Sequence, residues 1–301
     1  MPNPEQQERF EHGRGFIAAL DQSGGSTPKA LGLYGVGPSA YSTDEEMFDL
    51  INAARTRVVT SPVFTSERIL AAILFEGTLS RRIGNRDFVD YLWNEKGIVP
   101  ILKIDKGLAD QADGVQLMRD IPNLEDLLSR ARSQGVFGTK ERSVIHEANP
   151  EGIRRVVAQQ FDLGRRVLAA DLVPILEPEV TITAPDKAES EKILKEEILR
   201  GLEGLGDLDD SAEHRVAIKI SIPSVDGFYS DLIEHPRVAR VVALSGGYSR
   251  AEANERLSRN PGLIASFSRA LLDGLSRQQS DEEFNSTLDA TIESIYRASI
   301  T

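Results

Sequence analysis

The chain contains no cysteine. That excludes a disulfide framework and any thiolate chemistry, and it fits a reducing compartment. Histidine is also scarce: His12, His146, His214 and His235 are scattered, with no HxH or HxxxH pair, so a zinc-dependent mechanism has little to build on. Positive charge is in deficit, with 35 Lys and Arg against 47 Asp and Glu, for a formal net charge of -12. A chain whose main task is to coat nucleic acid needs the opposite balance, because that affinity rests on neutralising phosphates. Any phosphate-bearing ligand must therefore be held by a few cations gathered in one place. No apolar run approaches the ~20 residues of a membrane span. Met1 to Phe10 is polar and acidic, where a signal peptide carries a basic start and an apolar stretch. These absences lead to the expectation of a cytoplasmic protein that engages neither membrane nor nucleic acid.

What is present is a rhythm. In a chain of 301 residues, 40% hydrophobic, short runs rich in Val, Ile, Leu and Phe recur as buried parallel strands require. Eight can be counted: Phe16 to Leu20, Ala71 to Phe75, Val99 to Ile104, Val136 to Lys140, Leu172 to Leu176, Val216 to Ile220, Val238 to Leu244 and Leu263 to Phe267. Helix-like segments lie between them, among them Thr43 to Arg57, Asn123 to Ser133, Pro150 to Ala170 and Ala188 to Gly204. Alternation of this kind through the whole length predicts a parallel α/β protein, and eight repeats favour one closed (β/α)8 TIM barrel over residues 1–301. The acidic stretch Gly204 to Ser211 is loop-like but divides no domains, and Asp281 to Ser299 predicts a terminal helix packed through Phe284, Leu288, Ile292 and Ile295. The competing fold, an open doubly wound sheet, lacks its usual GxGxxG turn.

Barrels of this type carry their active sites at the carboxyl ends of the strands. Polar residues stand there on nearly every strand: Asp21 and Ser23, Lys103 and Asp105, Lys140 and Arg142, Glu177 and Glu179, Lys219, Ser245-Gly246-Gly247, and Ser266-Phe267-Ser268-Arg269. Alternation in Val216 to Ile222 turns Val216, Ile218, Ile220 and Ile222 toward the helices and Ala217, Lys219 and Ser221 into the barrel. A buried lysine with cations nearby loses its proton more easily and becomes a nucleophile toward carbonyls; the bland alternative is a structural ion pair with Glu177. Lys103, Lys140, Lys219, Arg142 and Arg269 at one rim suggest an anion between them. The Gly246-Gly247 turn and Ser266 to Arg269 occupy the loops with which barrels often hold phosphate. Ser23-Gly24-Gly25-Ser26 suits a phosphate equally well or is an ordinary turn. Glu177, one strand from Lys219, could serve as general acid and base.

Gly15 to Ser23, Leu102 to Gly107, Val173 to Glu179, Leu244 to Gly247 and Ser266 to Arg269 together resemble the class I fructose-bisphosphate aldolases in their shorter bacterial form, in order and over essentially the whole chain. The resemblance implies a metal-independent reaction without cofactor, proceeding through a covalent Schiff base on Lys219, with Glu177 as general acid and base, Lys140 assisting carbinolamine chemistry and Asp21 near the reacting carbons. It implies that Ser245, Gly246, Ser268 and Arg269 cradle the phosphate on the dihydroxyacetone side. Ser23, Ser26 and Lys103 would hold the other phosphate, with Arg142 and Glu179 in support. The substrate would be fructose 1,6-bisphosphate; tagatose bisphosphate, differing at one stereocentre, and a non-catalytic sugar-phosphate-binding barrel are the alternatives. Relatives are often oligomers, so a homo-oligomer is a further expectation. Two departures stand out: Gln22 and Ala30 occupy positions where eukaryotic members have glutamate and arginine, and the chain ends Ser299-Ile300-Thr301 rather than in a tail with a terminal tyrosine.

Overall fold

The computed structural model describes residues 2–23, 27–205 and 214–301. Its eight parallel strands are β1 (Phe16–Ala19), β2 (Ile69–Leu74), β3 (Val99–Lys103), β4 (Gly138–Ile145), β5 (Val173–Val180), β6 (Val216–Ser221), β7 (Val238–Leu244) and β8 (Ile264–Phe267). Each pairs with the next in sequence, and β8 returns to β1 through the register Ile17↔Ser266 and Ala18↔Phe267. The sheet is a closed barrel, as the eight apolar runs predict. The expected loop at Gly204 to Ser211 falls mostly outside the described residues.

Side chains of β6 alternate as expected. Val216, Ile218, Ile220 and Ile222 belong to the large core between barrel and helices, while Ala217 joins a separate interior cluster with Ile17, Ile73, Ile101, Ile175 and Val242. Both faces of each strand are buried, which explains why the runs read as nearly continuous hydrophobic segments. Helix α1 (Pro4–His12) precedes β1, and the outer layer is built by α2 (Thr27–Leu33), α3 (Asp44–Thr60), α4 (Leu124–Ser133), α5 (Pro150–Ala169), α6 (Lys187–Glu203), α7 (Arg250–Ser258) and α8 (Asp281–Ser299), with shorter turns between them. Capping boxes start α3, where Thr43 and Glu46 bond reciprocally, and α8, where Ser280 and Glu283 do the same; each satisfies amide donors that an open helix end leaves unpaired.

Helix α1 has no counterpart among the sequence expectations, since nine polar-looking residues give little periodic signal. Asn3 caps it through the amides of Glu5 and Gln6, and its one large apolar side chain, Phe10, is buried against Phe137 with ring centroids 5.2 Å apart. Arg240 of β7 donates to the carbonyls of Phe10, Glu11 and Gly13, fixing the helix across the floor of the barrel. The opposite end, where the strands finish, stays open to a cavity of about 1010 Å³.

Candidate active site

The inward positions of β4, β5 and β6 bring three of the expected groups into one contact. Glu177 Oε1 lies 3.0 Å from Lys219 Nζ, and Glu177 Oε2 lies 3.0 Å from Lys140 Nζ. Lys140 in turn meets Asp21 Oδ2 at 2.8 Å, with Asp105 Oδ2 at 4.0 Å. All of these side chains are largely buried, and buried charges persist only when paired. The five cations expected at one rim do line a single cavity. What separates most of them is the protein's own carboxylates: Lys103 pairs with Asp105 Oδ1 at 2.8 Å and Arg142 with Glu179.

The network biases its own protonation. Burial alone would raise the pKa of Asp21, but Lys140 and Lys219 outweigh it and hold the group at about 2. Burial likewise pushes Glu177 up, and Lys140, Lys219 and Arg142 bring it below the usual carboxylate range. Burial would lower Lys140, yet Asp21, Glu177 and Asp105 hold it well above the ordinary lysine value. Lys140 is therefore a cation throughout the neutral range, and Asp21 and Glu177 beside it rest as carboxylates able to accept.

One stability prediction follows from Asp21. Its pKa is about 2 when folded against an ordinary value of 3.8, so the folded state binds its proton less readily than the unfolded state. The contribution, about 2 kcal/mol and shared with Lys140, is fully present above pH 3.8 and is lost as pH falls toward 2. Denaturant unfolding of wild type and Asp21→Asn across that window should show the slope with pH flattening in the variant; equal slopes would contradict the assignment.

On the other side of the mouth, Ser245 and Gly246 follow β7 and Ser268 and Arg269 follow β8, and all four line the cavity. Gly246 has φ +62, and a Cβ there would approach Ile182 Cγ2 to 2.5 Å, so no other residue fits this turn without displacing its neighbour. Gln22 bridges β1 and β8 by donating to Ser268 Oγ at 2.8 Å and to the Ala19 carbonyl at 3.3 Å. Ser23, Lys103, Arg142 and Glu179 also line the cavity, whereas Ser26 lies outside the described residues.

A family model described as fructose-bisphosphate aldolase class-I matches residues 7–203. The chain is 56% identical over 300 residues to the fructose-bisphosphate aldolase class 1 of Synechocystis sp., covering 100% of this chain and 98% of that protein. The chain belongs to the class I fructose-bisphosphate aldolases. The aldolases of the same description from Porphyromonas gingivalis, 55% identical over 99% of both chains, and from Clostridium acetobutylicum, 57% identical over 99% of this chain and 100% of that one, are similar throughout. A solved fructose-bisphosphate aldolase from Plasmodium falciparum, 22% identical, superposes with a TM-score of 0.77 over 98% of this chain and 92% of that one, which shows the shared barrel.

This aldolase also has residues at the site that sequence patterning does not single out. Arg55 of α3 is buried, with its pKa lowered to about 10 by desolvation despite the nearby Asp21. Its Nε donates to the Leu20 carbonyl at 2.6 Å and its terminal nitrogen to the Gln22 carbonyl; the guanidinium thus fixes the backbone on either side of Asp21. Lys29, Lys106 and Arg119 reach the cavity from segments outside the strands, where no alternation marks them. Among the described residues no cluster of His, Asp and Glu could hold a metal ion, and no helix is long and apolar enough to cross a membrane.

Proposed function

We propose that the aldolase cleaves fructose 1,6-bisphosphate through an iminium on Lys219, without metal or cofactor, and that Glu177 moves the protons. The observation that carries this is the placement of Glu177 between two lysines of different character. Lys140, tied to two carboxylates, keeps its charge. The proton that Lys219 must shed before attack has an acceptor 3.0 Å away. Lys219 Nζ then adds to the C2 carbonyl, and the carbinolamine loses water with Glu177 taking and returning the protons while the fixed Lys140 charge assists from beside it. The resulting iminium is an electron sink. When Glu177 accepts the C4 hydroxyl proton, the C3–C4 bond breaks, its electrons form the enamine, and glyceraldehyde 3-phosphate departs. Protonation at C3 regenerates the iminium, and the water lost earlier is returned as hydrolysis releases dihydroxyacetone phosphate. Asp21 holds Lys140 in place beside the reacting carbons. Ser245, Gly246, Ser268 and Arg269 receive the phosphate on carbon one; Ser23 and Lys103, with Arg142 and Glu179, flank the other end, and a role there for Ser26, outside the described residues, rests on the resemblance alone.

Borohydride reduction in the presence of dihydroxyacetone phosphate, followed by peptide mapping, should place the reduced adduct on Lys219, with turnover surviving EDTA. An adduct on another lysine, or turnover abolished by the chelator, would refute the scheme.

A further inference from the structure

The cavity is lined by eight cationic side chains and five carboxylates, an excess of three positive charges. The carboxylates are not shared evenly. Lys103 is held by Asp105 through both its side chain and its carbonyl, Arg142 by Glu179, and Lys106 by Glu76, which also takes Arg130. Lys140 and Lys219 divide Asp21 and Glu177 between them. Three cations are left without an acidic partner among the described residues: Arg269, Lys29 and Arg119. The uncommitted charge therefore equals the excess, and it is where a dianion gains most, because no existing ion pair has to be broken to bind it.

Arg269 stands in the loop after β8. Arg119 stands elsewhere, in the connection after β3, which is separated from β8 in the barrel wall by β1 and β2. Its backbone is pinned. The Arg119 amide donates to the Gly107 carbonyl at 3.0 Å, and Gln159 of α5 clamps Met118 by accepting from its amide at 2.9 Å and donating to its carbonyl at 3.0 Å. An exposed guanidinium on a fixed backbone at the edge of a substrate cavity is prepared for a planar, two-pronged grip on phosphate at little cost in backbone ordering.

We propose that Arg119, assisted by Lys29, binds the phosphate on carbon six and so determines the preference of this enzyme for a ketose bisphosphate over a ketose 1-phosphate. Lys103, already saturated by Asp105, is then a neighbour of that phosphate and not its principal ligand. The assignment rests on the proposed scheme, in which the carbon-one phosphate occupies the β7 and β8 loops.

The test is steady-state kinetics of wild type, Arg119→Ala and Arg119→Lys on fructose 1,6-bisphosphate and fructose 1-phosphate. Arg119→Ala should reduce the ratio of kcat/KM for the two substrates about tenfold, mostly through KM for the bisphosphate. Arg119→Lys, which keeps the charge but not the fork, should recover only part of that ratio, and Lys29→Ala should lower it by a smaller factor. If Arg119→Ala slows both substrates by one common factor, or neither, the assignment is overturned. Borohydride trapping with dihydroxyacetone phosphate, which has no phosphate at that end, keeps the two ideas separate. An adduct on Lys219 beside an unaltered substrate ratio removes Arg119 alone, whereas no adduct in wild type removes the Schiff-base scheme.

Discussion

Lys219→Met is expected to slow cleavage of fructose 1,6-bisphosphate by at least about 10⁴-fold, because a covalent mechanism loses its nucleophile and retains only positioning and electrostatics. The fold should survive. Glu177 keeps Lys140 at 3.0 Å, so loss of the Lys219 ammonium does not leave the buried carboxylate without a counter-ion. Thermal unfolding would therefore still report one cooperative transition, at a melting temperature no more than modestly below that of wild type, while a coupled assay reports the loss of turnover. Retention of wild-type turnover in a correctly folded Lys219→Met protein would leave no chemistry for the proposed iminium.

The second large effect is expected for Glu177→Gln. The amide is nearly isosteric but cannot accept a proton, so kcat should fall about 10²- to 10⁴-fold, with a much smaller change in KM. Because Lys219 and Asp21 remain, borohydride should still trap an adduct with dihydroxyacetone phosphate, only more slowly. That separation distinguishes a proton-transfer role from a merely structural one: if Glu177 only anchored the two lysines, the variant would lose stability and substrate affinity together. A kcat near that of wild type would shift the acid and base role to Asp21 or to a bound water.

The barrel was legible because burial on both faces leaves its mark on every strand, and all eight apolar runs appear in the sheet. Period-two alternation was enough to turn Lys219 inward, and the charged residues ending β3, β4 and β5 do line the cavity. What alternation could not supply was partnership. Five cations at one rim suggest a vacancy for an anion, whereas most are already neutralised by Asp21, Asp105, Glu177 and Glu179. Arg55 was hidden for a different reason: on α3 it looks like one more helix charge, and only the tertiary fold brings it against the carbonyls of Leu20 and Gln22. Arg119 sits in an irregular segment that no period describes. Helix α1 went unseen because its role rests on a single buried phenylalanine.

That helix has a consequence for the order of events. With Phe10 packed on Phe137 at the base and the cavity opening where the strands finish, the proposed scheme brings the sugar in, and lets both fragments out, at the same end of the barrel. In that scheme the three-carbon piece bonded to Lys219 leaves second, and the water that hydrolyses it reaches it from the end the aldehyde has just vacated. Closing the far end thus puts the aldehyde's exit and the water's entry in succession on one side of the barrel.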